Sequence, residues 1–91
     1  MPKISDFYGI TILMHLTRKE HNPPHIHALY DGYEATFLIS DGGIFQGKFP
    51  RKQSTIVKEF IESYKEELLQ MWETESYYYL PFTEVYYERI D

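Results

Sequence analysis

The chain has 91 residues, 43% hydrophobic and 25% charged, which fits one folded domain over residues 1–91 and excludes the composition of a disordered segment. It contains no cysteine, ruling out disulfides, thiolate zinc sites, iron–sulfur clusters and a cysteine nucleophile. The net charge of −5 is unevenly spread, with six Lys/Arg against five Asp/Glu in residues 1–52 and three against nine in residues 53–91, so any anion-binding surface belongs to the first half.

In chain order, MPKISDFYGI lacks the apolar run of a signal peptide, and no stretch reaches the roughly 20 apolar residues that span a bilayer. A soluble cytoplasmic protein with no membrane contact is the expectation. FYGITILMHL alternates, with Tyr8, Ile10, Ile12 and Met14 on one face and Thr11, Leu13 and His15 on the other, and reads as one strand. TRKEHNPP is a polar loop in which Pro23 and Pro24 hold the preceding residues out of the helical region. HIHALY is a second strand, turned at Asp31-Gly32 into a third, YEATFLIS. A further turn at DGG, residues 41–43, leads to a fourth, GIFQGKF.

From Ser54 the period becomes helical. Ile56, Val57, Phe60, Ile61, Tyr64, Leu68, Leu69 and Trp72 form an apolar stripe, with Lys and Glu on the remaining faces, which describes one long amphipathic helix. Ser54 is one candidate N-cap, and Pro50 as first helical residue is the other. The tail SYYYLPFTEVYYERID is rich in strand formers, and residues 82–88 read as a short C-terminal strand. The expected fold is therefore α+β: an antiparallel sheet of four N-terminal strands plus a C-terminal strand, with one long helix packed on one face. Tyr77, Tyr79 and Tyr86 in the tail either close the core or offer rings to a partner, a homodimer being the simplest.

The histidines are the candidates for chemistry, although a histidine in a strand is more often satisfied locally than catalytic. On a strand, His25 and His27 point to one face with backbones about 7 Å apart, and Ile26, Ala28 and Tyr30 point to the other. If the latter set lies beneath the helix, His25 and His27 share the far side with His15. Three readings follow. His25 and His27, with His15 or His21, could bind zinc or another transition metal through imidazole nitrogens and leave one position open. Alternatively, His25 and His27 act as acid and base in RNA cleavage, with phosphate bound by Arg18 before the proline loop and by Arg51 and Lys52 at the helix start. In the third reading the histidines are satisfied locally, no cofactor is needed, and the exposed face docks a small protein.

PKISDFYGITILMH, HNPPHIHALYDGYEA and GKFPRKQSTIVKEFIESYKEELLQMW together resemble a small prokaryotic domain-of-unknown-function family, number 4160. Its members look like PxISxFxGIxIxM, then HxPPHxHxxY, then a Leu-Pro-Arg step into a helix ending near Trp. The likeness covers residues 2–72 and falls on Phe7, Tyr8, Gly9, His21, Pro23, Pro24, His25, His27, Tyr30, Pro50, Arg51 and Trp72. Phe49 stands where Leu is usual, and the tyrosine-rich tail departs from the pattern. Such proteins are commonly encoded beside another small domain in pairs that look like toxin and antitoxin modules. The resemblance supplies no catalytic residues; it favours a protein that works by binding a partner and, second, a ribonuclease role. The expected role is therefore partner binding, with a histidine-dependent endoribonuclease as one alternative and, from the His-x-His pair alone, a metal-dependent hydrolase as the other.

Overall fold

A computed structural model describes residues 3–14 and 23–82. Five strands, β1 (Lys3–Phe7), β2 (Ile10–Leu13), β3 (His25–Tyr30), β4 (Tyr33–Leu38) and β5 (Ile44–Lys48), form one antiparallel meander in the order β1-β2-β3-β4-β5. Two helices follow, α1 (Arg51–Ser63) and α2 (Lys65–Thr74). The α+β class and the helical layer agree with expectation, while three details differ.

The segment read as one strand from Phe7 is instead the second half of a hairpin. Tyr8 and Gly9 take φ of 52° and 78°, and a two-residue loop with both central residues at positive φ matches the twist of the strands it joins. A left-handed tyrosine is uncommon, so the residue types around the turn did not announce it. Asp31-Gly32, with φ of 48° and 86°, is the same kind of loop carrying the usual residues. The fifth strand of the sheet is thus N-terminal. Phe82 is not in a strand, and the rest of the expected strand at 82–88 lies outside the described residues.

The second difference is that the helical stripe is interrupted at Tyr64, whose φ and ψ are −120° and 26°. Its N–H is shared between the carbonyls of Phe60 at 3.1 Å and Ile61 at 3.3 Å. The helical ladder resumes when Leu68 N–H donates to Tyr64 O at 2.8 Å. The third concerns the helix start. Pro50 is the N-cap, not the first helical residue, and Ser54 is already inside α1, donating its N–H to Pro50 O at 2.8 Å.

Both helices lie on one side of the sheet. Ile10, Ile12, Met14, Ile26, Ala28, Ala35, Phe37 and Ile39 meet Ile56, Val57, Phe60, Ile61, Leu68 and Met71 in a single buried cluster. This leaves the other side of the sheet, the outer face, without a described element across it.

Candidate functional site

The tight Asp31-Gly32 loop pairs Tyr30 with Tyr33, and the ladder then sets His27 opposite Thr36 and His25 opposite Leu38. On the other flank Leu13 lies opposite His27 and Thr11 opposite Leu29. Alternation along the strands puts all of these on the outer face. His27 therefore sits inside a ring of Leu13, Leu29, Thr36 and His25, with Leu38 beside His25. Leu13, Leu29 and Leu38 are half-buried there. Next to Thr36 a hollow of about 220 Å³ is lined by Glu34, Ala35, Thr36, Gln46 and Gly47.

The two expected histidines do come together, their ring centroids 5.1 Å apart. His25 is only 8% exposed, and its Nδ1 lies 2.8 Å from the carbonyl oxygen of Pro23. A carbonyl only accepts, so Nδ1 carries the proton, and in the neutral ring Nε2 keeps its lone pair. The turn behind it is held by Ile39 N–H donating to Pro24 O at 3.1 Å, which fixes the proline pair against the end of β4. His27 Nδ1 is 3.4 Å from Thr36 Oγ1, a long and weak contact.

His25 is also met by α2: its ring centroid lies 4.9 Å from that of Trp72. The expectation that the histidines lie wholly on the side away from the helix is thus corrected at His25, the first residue of β3, where the sheet ends and Trp72 closes over the ring. Nothing local in the sequence joins two residues so far apart in the chain. Thr36, by contrast, is recoverable from sequence once the two-residue loop at 31–32 fixes the register.

Other expected site residues are placed apart. Lys48 pairs with Glu34, while His25 pairs with Leu38, four residues or about 13 Å away along β4. Arg51 and Lys52 follow Lys48, exposed at the start of α1, so they stand toward the opposite end of the sheet from His25. Tyr77 packs against the core. Tyr79 is 48% exposed, and its hydroxyl donates to Asp6 Oδ1 at 3.0 Å. His15, Arg18, His21 and Tyr86 lie outside the described residues. Among the described residues no group of three or more His, Cys, Asp or Glu is placed to hold a metal ion, and no helix is long and apolar enough to cross a membrane.

Residues 9–73, well over half of the chain, match the family model described as Domain of unknown function (DUF4160). The chain belongs to this family. The match takes in β2 to β5, both helices up to Glu73, and therefore His25, His27, Thr36 and Trp72 together. No curated protein and no solved structure matches the chain.

Proposed function

We propose that this is a small cytoplasmic protein of a bacterial module of toxin and antitoxin type, which acts by seating a partner protein on the outer face of its sheet. The observation that carries the reading is the asymmetry of the two faces. Both helices cover one side, while Leu13, Leu29 and Leu38 stand half-buried on the other around His25, His27 and Thr36. Apolar side chains grouped with a few polar ones on a face that no described element covers have the make-up of an interface centre, and the hollow beside Gly47 can receive a partner side chain. The toxin and antitoxin setting rests on the family resemblance. Partner binding is preferred over RNA cleavage because Arg51 and Lys52 stand apart from His25 and His27.

The test is co-expression with the protein encoded next to it, followed by size-exclusion chromatography with light scattering. A defined complex is expected, and Leu29→Asp should weaken it at least tenfold while leaving the circular dichroism spectrum unchanged. Tyr78→Asp, away from that face, should leave it intact. Affinity unchanged in Leu29→Asp would remove the outer face as the docking surface, and absence of any complex would remove the reading. A homodimer dissolved by Leu29→Asp would identify the occupant as a second copy.

A further inference from the structure

We propose that Asp31-Gly32 is a site of spontaneous covalent modification, at which the folded chain converts Asp31 to isoaspartate through a succinimide, while the fold protects the other Asp-Gly step, Asp41-Gly42. Such a step is chemically labile because glycine has no Cβ to crowd its own nitrogen. The chain has two of them, each in a turn between strands, so the fold decides which one reacts. In the reaction the Gly32 nitrogen gives up its proton and attacks Cγ of the protonated Asp31 carboxyl. The N–Cγ bond forms, a Cγ–O bond breaks, and one water leaves. Water then adds to either carbonyl of the ring. Breaking N–Cγ restores aspartate; breaking the original peptide bond leaves Gly32 joined through Cγ, with a free carboxylate on Cα. One water departs and one returns, so solvent is the sole co-reactant.

Two groups must be available, the glycine N–H and the aspartate carboxyl. At Asp41-Gly42 both are engaged. Asp41 Oδ1 accepts from Gly43 N–H at 2.8 Å, and Gly42 N–H donates to Leu38 O at 2.8 Å. Gly42 is also buried, with Lys58 Cγ 2.7 Å from where a Cβ would stand, so α1 lies against that turn. At Asp31-Gly32 neither restraint exists. Both residues are exposed, and among the described residues neither the Asp31 carboxylate nor the Gly32 N–H has a hydrogen-bond partner. Nothing lies within 4 Å of the Cβ position of Gly32, which leaves room for the ring and for the water that opens it. The free N–H follows from the two-residue loop: Tyr30 and Tyr33 close the ladder, and the residues between them have no strand opposite. Ring closure requires the backbone at Asp31 to rotate, a local opening that a loop tip undergoes more readily than a strand. At Asp41 the same closure also breaks two hydrogen bonds. Because the 31–32 loop sets the pairing of β3 with β4, the main-chain carbon added by isoaspartate acts where the register is fixed.

The experiment incubates the full chain, folded and in concentrated urea, in mildly acidic buffer made with heavy-oxygen water. Isoaspartate is then located by electron-transfer fragmentation in the mass spectrometer, which distinguishes the two linkages. In urea, Asp31 and Asp41 should convert at similar rates. With each rate divided by its value in urea, the folded chain should convert Asp31 at least tenfold faster than Asp41. Each isoaspartate should carry one heavy oxygen from the opening of the ring. Asp31→Ala should abolish the product at that position and leave conversion at Asp41 unchanged. A folded-state ratio below tenfold overturns the proposal. So does the absence of isoaspartate at position 31 of the folded chain over the time in which the urea sample converts, or a product without heavy oxygen.

Discussion

Gly47 is the residue on which β5 depends. Its φ is +90°, and a Cβ built there would lie 2.5 Å from the carbonyl oxygen of Glu34 and 3.0 Å from Ala35 Cα. Both contacts are with β4 backbone, which cannot swing aside as a side chain would. Gly32 offers the control, because its φ is +86° but nothing lies within 4 Å of its Cβ position. Gly32→Ala should therefore cost only the left-handed conformation, about 1–2 kcal/mol. Gly47→Ala should cost more, lowering the melting temperature by about 4–8 °C for each kcal/mol; equal losses in thermal melts would mean that β5 shifts to relieve the clash. At the other edge of the sheet, Lys3 Nζ bonds Asp6 Oδ2 at 2.7 Å, and this bond first, then the Tyr79 hydroxyl, holds the Asp6 carboxyl below its ordinary value of 3.8. A carboxyl depressed in the folded state stabilises above its unfolded value and loses that contribution as pH falls through the folded one. Asp6→Asn should flatten the fall in melting temperature below about pH 4, a slope readable from melts between pH 2 and 5. An unchanged acid limb would assign that slope to other carboxylates.

The elements show where sequence patterns suffice and where they stop. Asp31-Gly32 between two alternating runs fixed a hairpin and, through its two-residue loop, the register that sets His25 opposite Leu38 and His27 opposite Thr36. Tyr8-Gly9 makes the same kind of loop with a residue that seldom takes positive φ, so β1 was invisible beside β2. Helical periodicity ran unbroken through Tyr64, and rightly so for burial, since Phe60, Ile61, Leu68 and Met71 all face the core. The interruption has no proline or glycine to signal it. It coincides with one tertiary contact of Tyr64, whose hydroxyl donates to Pro81 O, while its ring keeps the ordinary i, i+4 contact with Phe60, centroids 5.4 Å apart. Tyr64→Phe keeps the ring and removes the donor, so it should cost about 0.5–1.5 kcal/mol. The Leu80 amide, one residue before the Pro81 carbonyl that loses its donor, should exchange faster with solvent. Unchanged Leu80 protection would show that the hydroxyl does not hold residues 80–82 in place.

At the scale of the molecule, the last described residues close the sheet at its first strand. Ile4 is the extra residue of a bulge, since Lys3 pairs with Leu13 and Ser5 with Ile12. Its carbonyl accepts from Leu80 N–H at 2.7 Å, and the buried Ser5 Oγ donates to Leu80 O at 2.6 Å. Phe82 sits against Phe7 and Phe60, with centroids 4.9 Å and 5.5 Å apart. Residues 80–82 thus cover an edge that would otherwise offer unpaired backbone groups to a neighbouring chain, and they join the first and last described segments through one core. A domain of this length has a total stability of only about 5–14 kcal/mol. Leu80, 4% exposed, should cost about 2–5 kcal/mol on substitution by alanine, a large share of that total. If the strap belongs to the same cooperative unit as the sheet, Leu80→Ala will shift the urea midpoint strongly while keeping a single transition of unchanged slope. If the strap peels away by itself, the midpoint will barely move and protection will be lost only at Leu80, leaving the edge of β1 open to association.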